Sequence, residues 1–203
     1  MDFYIDLGSS TIKVYEYTNE LNLLEEHSIY FKNGFSSEDG ISKENETELI
    51  NYFQELKNKY KMEYHNTHIF VTGIFRELSN SKKHYMVKLF NDKLDLHFNI
   101  ISHGIENYYL GKAMEHDYNN KKVMIINMGG KTTELVTFCK GSITARENLK
   151  IGVADLLNGF PQVNEEISAC SVEEMNEFVK GELKDISFDE DYDCAIFTGG
   201  EER

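Results

Sequence analysis

The sequence predicts a duplicated α/β fold, two ribonuclease-H-like lobes of which the second is incomplete at its C-terminus. Two observations predict it. The first is a repeated stretch. Phe3-Tyr-Ile-Asp-Leu-Gly-Ser-Ser-Thr-Ile-Lys-Val-Tyr-Glu-Tyr17 and Lys122-Val-Met-Ile-Ile-Asn-Met-Gly-Gly-Lys-Thr-Thr-Glu-Leu-Val-Thr-Phe138 both read as apolar strand, glycine turn with hydroxyls, and second strand. At one common offset (127 − 6 = 121), Asp6 matches Asn127, Gly8 matches Gly129 and Thr11 matches Thr132. Matching turns at a fixed separation indicate internal duplication, with the two turns expected to face each other across a cleft. The second observation is element order, which reads βββαβαβα over the first half, the plan of a ribonuclease-H-like domain.

The elements follow in order. Phe3–Asp6, Thr11–Tyr17 and Leu23–Phe31 read as a three-stranded antiparallel meander, and residues 33–43 as a polar loop. Asn45 caps a helix, with Glu48 three places on as a capping-box partner. Leu49, Ile50, Phe53, Leu56 and Tyr60 recur at helical spacing and form its core face. Thr67–Thr72 is a β-branched strand followed by Gly73. Arg76 sits just past that strand end, where α/β sheets place ligand contacts. Ser81–Lys93 is a second helix with Tyr85, Leu89 and Phe90 inward, and His97–Ile101 a strand. Ser102-His-Gly-Ile-Glu106 turns into a helix running to His116, with Tyr109, Leu110 and Ala113 as its apolar face. Glu106 lies in the first turn, where the helix dipole favours an acid. Residues 117–121 are a polar linker, so the lobes are expected at 1–118 and 119–203.

In the second half, Val123–Met128, Thr132–Phe138 and Ser142–Leu149 are again three strands, the last two joined at Gly141. Ile151–Asn158 is a short helix. Ser171 with Glu174 forms a capping box opening a helix to Leu183. Residues 185–193 are an acidic, solvated loop, and Asp193–Thr198 a buried strand ending at Gly199-Gly200. The second lobe lacks its last elements, as expected of a fragment of a longer protein or of a naturally short lobe.

Composition excludes several classes. Lys and Arg number 21 against 35 Asp and Glu, a formal net charge of −14. That argues against a nucleic-acid or anionic-membrane surface and requires any phosphate ligand to be held locally, by metal, backbone N–H groups or a few placed cations. A hydrophobic content of 40% supports a packed core rather than disorder. Neither a membrane-length apolar run nor a basic-then-apolar leader is present, so the expected location is the cytoplasm. Cys139, Cys170 and Cys194 have neither zinc spacing nor an even count and are expected reduced and buried. His103 and Glu106 are three apart, but no third ligand is near in sequence, so they are not read as a metal pair.

From Tyr4 to Gly200 the chain resembles the exopolyphosphatase / guanosine pentaphosphate phosphohydrolase family, within the superfamily of actin, sugar kinases and heat-shock chaperones. Asp6-Leu-Gly-Ser-Ser-Thr11 resembles the first phosphate motif, Asp-x-Gly-Ser-Asn-Ser. Thr72-Gly-Ile-Phe-Arg76, with Asn80, is similar to the Thr-x-x-x-Arg-x-x-x-Asn segment. Ile101-Ser-His-Gly-Ile-Glu106 is similar to Ile-Ser-Gly-x-Glu-Glu, and Met128-Gly-Gly-Lys-Thr-Thr-Glu-Leu-Val136 to the second phosphate motif, Ile-Gly-Gly-Gly-Ser-Thr-Glu-Leu-Val. Leu149-Lys-Ile-Gly152 and Thr198-Gly-Gly200 match later segments.

The resemblance implies release of a terminal phosphoryl group by water from polyphosphate or guanosine pentaphosphate, chemistry that rests on positioning and charge neutralisation. Glu106 falls on the family's catalytic base, and Arg76 is expected to fork onto a phosphoryl oxygen. Phosphate is expected on Gly8, Ser9, Ser10, Thr11, Gly129, Gly130, Lys131 and Thr132. Mg2+ is expected on Asp6, Glu134 and Asn127. The expected partners are a phosphorylated small molecule or polyphosphate, with no nucleic acid and no membrane; a homodimer is left open.

Five departures bear on activity, one of them Asn107-Tyr108 where the family has Ala-Arg. The family acid opening the second motif is Asn127, which removes a negative charge from the metal site and weakens Mg2+. Lys131 replaces a glycine, and either takes over part of the metal's role or blocks the site. Ile105 replaces the first glutamate of the Glu-Glu pair, and Ser10 an asparagine. Three readings stay open: a weakened phosphohydrolase, a catalytically impaired relative that binds a phosphorylated ligand or partner, and a nucleotide-dependent kinase or actin-like ATPase.

Overall fold

The computed structural model describes residues 1–118, 120–130, 132–140, 142–162, 169–186 and 191–198. It contains two compact units, Met1–Ser102 and His103–Arg203. In the first, β1 (Asp2–Leu7), β2 (Thr11–Tyr17) and β3 (Leu21–Ser28) form an antiparallel meander. Helix α1 (Lys43–Tyr60) leads to β4 (Thr67–Val71), which pairs parallel with β1. A 3-10 turn (Gly73–Glu77) and α2 (Asn80–Leu94) lead to β5 (Phe98–Ile100), parallel to β4. The sheet order is β3-β2-β1-β4-β5.

The second unit opens with α3 (His103–Tyr118). Strands β6 (Lys122–Met128), β7 (Thr133–Cys139) and β8 (Ser142–Leu149) follow as a second antiparallel meander. Helices α4 (Val153–Gly159) and α5 (Ala169–Leu183) precede β9 (Cys194–Thr198), which is parallel to β6. The order β8-β7-β6-β9 repeats the first four places of the other sheet. The repeat extends to register: Asp6 pairs with Lys13, and Asn127 with Glu134, each partner also 121 residues from its counterpart (134 − 13 = 121).

Alternation builds the first core. Phe3, Ile5 and Leu7 of β1 and Ile12 and Val14 of β2 point to one face and are buried there. Leu49, Phe53 and Leu56 of α1 and Met86, Phe90 and Leu94 of α2 join the same cluster. Edge-to-face rings order it: Phe53 against Phe90, with centroids 5.0 Å apart, and Phe31 against Phe75, also at 5.0 Å. In the second unit, Val123, Ile125, Val136 and Phe138 form the core, with Leu110, Met114 and Tyr118 of α3 packed on it. Gly111 permits this: a Cβ there would meet Phe138 and Ile143 side chains at 3.3 Å. Helix α3 therefore groups with the second unit, where the expected division at 118/119 had put it in the first.

Several local expectations are corrected. Ser42, not Asn45, is the N-cap of α1; its hydroxyl accepts the Asn45 N–H at 3.2 Å. The capping-box pattern thus sits one turn too late, because Lys43 and Glu44 already serve as the first helical residues. Ser42→Ala is expected to lower stability by about 1 kcal/mol in urea unfolding followed by circular dichroism. Tyr85 and Tyr109 are exposed at 38% and 54%, and Ala113 is exposed as well. The inward faces of α2 and α3 run instead through Met86–Phe90–Leu94 and Leu110–Met114–Tyr118. Strand β9 is only partly covered, with Phe197 64% exposed. Cys139 and Cys194 are free but half-buried. Helix α5 begins at Ala169, so Ser171 lies inside it rather than at its cap. Cys170's side chain, Gly141 and Gly199-Gly200 lie outside the described residues. Among the described residues, no helix is long and apolar enough to cross a membrane.

Candidate active site

Strand β7 carries Glu134, a carboxylate with only 2% of its surface exposed. Its place follows from the hairpin: alternation turns it inward directly across from Asn127. The Asn127 Nδ2 donates to Glu134 Oε2 at 3.1 Å and fixes that side of the carboxylate. On the other side, His103 Nδ1 lies 3.4 Å from Glu134 Oε1. His103 and Glu106 are three apart at the start of α3, hence on one helix face. Helix packing on β7 brings that face to Glu134. His103, Glu106 and Glu134 each offer a ligand atom, and these atoms all lie within 4.8 Å of one another.

This donor set fits a divalent cation. A nearly buried carboxylate is costly to ionise, and a second carboxylate beside it raises the cost, so a positive charge between them is favoured. Two carboxylate oxygens suit Mg2+ or Mn2+, and the imidazole nitrogen adds a ligand of transition-metal character.

The glycine turn between β6 and β7 is tied from within and from beyond. Gly129 N–H donates to Thr132 O at 2.8 Å. The carbonyls of Gly129 and Gly130 accept the Val153 and Ala154 N–H groups of α4 at 3.0 and 2.9 Å. Thr133 Oγ1 donates to Ile151 O at 2.8 Å, fixing the strand that follows. Lys131 lies outside the described residues.

The first unit repeats this turn. Gly8 N–H donates to Thr11 O at 2.9 Å, the counterpart of the Gly129–Thr132 bond. In both units the glycine N–H closes its own turn. Ser10 O accepts the Ile29 N–H at 3.1 Å. Ser9 Oγ accepts the Ile74 N–H at 3.1 Å, joining the turn to the 3-10 segment after β4, and its own hydroxyl hydrogen is not consumed by that bond. Gly73 makes the join. It has φ +60, and a Cβ on it would come within 2.9 Å of Ser9 N. Half-buried Arg76 donates from Nε to Ile101 O at 3.0 Å. Asp6 is exposed on β1, across from Lys13.

Residues 10–199 match the Ppx/GppA phosphatase family. The chain belongs to that family. Its fold is shared with the Ppx/GppA member from Aquifex aeolicus, at TM-score 0.70 and 20% identity, with 98% of this chain and 65% of that one covered. An exopolyphosphatase from Cytophaga hutchinsonii superposes at 0.63 and 16% identity, covering 89% and 60% of the two chains. The ethanolamine utilization protein EutJ from Carboxydothermus hydrogenoformans shows the same two-sheet plan at 0.51 and 15% identity, over 92% and 72%. The chain thus spans about two thirds of the length of the Aquifex family member. No curated protein sequence matches it. The sequence places His103 and Glu106 on one turn, but Glu134, their third partner, stands 28 residues beyond Glu106 (134 − 106 = 28), too far for spacing to join them.

Proposed function

We propose that the chain is a cation-dependent phosphohydrolase that releases terminal phosphate from polyphosphate or guanosine pentaphosphate, with weakened Mg2+ binding. The observation that carries this is the convergence of His103, Glu106 and Glu134 in a chain of the Ppx/GppA family. Glu134 and Glu106 hold the cation, which when bound supplies positive charge to the phosphate oxygens. Glu106 has a second oxygen, which accepts the proton of the attacking water. Asn127 orients Glu134 through its amide and contributes no charge. Arg76 belongs to the first unit; the Nε bond to Ile101 O sets its guanidinium plane, whose fork suits a phosphoryl oxygen. Gly130 and Thr132 of the same unit as the cation site supply further phosphate contacts, and the strongly acidic chain acts in the cytoplasm on small anions rather than on nucleic acid or membrane.

Phosphate release from polyphosphate and from guanosine pentaphosphate, followed colorimetrically, tests this. Release is expected with millimolar Mg2+ and is expected to fall about a hundredfold with chelator, a loss of about 2.7 kcal/mol of charge stabilisation. The second reading, a binding module, is favoured by the neutral Asn127. Ligand binding in calorimetry without release above a Glu106→Ala control would establish it in place of the first.

A further inference from the structure

We infer that His103 is a ligand of the cation site and shifts its choice of ion from Mg2+ toward first-row transition ions; this rests on the cation site proposed above. Three observations lead there. His103 Nδ1 stands 3.4 Å from Glu134 Oε1, and its ligand atom belongs to the same 4.8 Å group as the two carboxylates. The second is what Asn127 does: its Nδ2 donates to Glu134 Oε2, so Glu134 turns its other oxygen toward His103. The third is burial. Glu134's side chain is 3% exposed while that of His103 is 35% exposed, so the imidazole lies on the solvent side of a buried acid and a cation entering from solvent meets both.

Charge and donor type then decide the ion. Mg2+ favours oxygen donors and binds mainly through carboxylate charge. Asn127 carries none, so the Mg2+ site has lost a contribution. A neutral imidazole does not restore charge, but it is a good donor to later divalent ions, whose affinity for nitrogen-containing sites rises along the first row. The substitution of asparagine at 127 and the histidine at 103 thus act in the same direction. One weakens Mg2+ and the other strengthens its competitors.

Mn2+ titration followed by electron paramagnetic resonance tests this on the whole chain, with Mg2+ as competitor. Mn2+ is expected to bind with a nitrogen coupling in the pulsed spectrum, and Mg2+ to displace it only in large excess. In His103→Asn the nitrogen coupling is expected to vanish and Mn2+ affinity to fall about tenfold or more, with Mg2+ affinity changed much less. His103→Gln, checked with the first variant by circular dichroism, guards against a folding artefact. Mn2+ bound without nitrogen coupling, unchanged in His103→Asn but lost in Glu134→Gln, overturns the role of His103 and leaves the cation site standing. Failure of every form to bind Mn2+ or Mg2+ overturns both.

Discussion

Glu106→Gln is expected to lower phosphate release by about 10²–10⁴-fold, the range of a lost general base. Glutamine keeps the size and much of the hydrogen bonding of glutamate at the first turn of α3, so the fold should persist. Glutamine cannot take up the proton of water, and it brings no charge to the cation. The two losses separate by measurement. Loss of the base lowers the rate at saturating cation, whereas loss of a ligand raises the cation concentration needed for half-maximal release. A variant that releases phosphate within threefold of the parent at saturating Mg2+ or Mn2+ would remove Glu106 from the chemistry.

Gly73→Ala is expected to destabilise the first unit by about 2–4 kcal/mol, summing left-handed backbone strain and a forced steric shift. The residue sits at φ +60, and the nearest backbone atom to an added Cβ, Ser9 N, is only 2.9 Å away. Neither the first glycine turn nor the 3-10 segment can yield alone, because the Ile74 N–H is bonded to Ser9 Oγ and the Thr72 N–H to Leu7 O at 2.9 Å. The substitution should therefore also disturb the Ser9–Thr11 turn, seen as shifted amide resonances there. A loss below about 0.5 kcal/mol in urea unfolding, with those resonances in place, would show that the turn and the 3-10 segment are not mechanically joined.

Much of the fold was legible because its signals are local. Alternation at Phe3, Ile5 and Leu7 and the apolar run at Val123–Ile126 state their strands outright, and the common offset ties the two glycine turns together. What escaped depended on partners distant in sequence. Ser42 is masked as a cap in the sequence because Asn45 and Glu48 offer a pattern of the same kind three residues later. Tyr85 and Tyr109 were assigned inward on hydrophobicity, though a tyrosine hydroxyl favours a wet boundary: Tyr85 OH donates to Glu46 Oε1 at 3.0 Å on the surface. In the site, Glu106 and Glu134 were legible as motif positions. His103 shows in the sequence only as a neighbour of Glu106 on one turn, and becomes a candidate ligand when β7 brings a buried carboxylate to it. That the Gly8 and Gly129 N–H groups each bond a carbonyl three residues on is likewise visible only in the closed turn.

Everything proposed for the chemistry depends on a cation held at α3 and β7. The most direct measurement is an anomalous difference map from crystals of this chain grown in millimolar Mn2+. The account predicts a peak with ligand atoms of Glu106, Glu134 and His103 at about 2.0–2.6 Å, the range for such oxygen and nitrogen donors. A map with no peak there, and with His103 still resting directly on Glu134 Oε1, would contradict it.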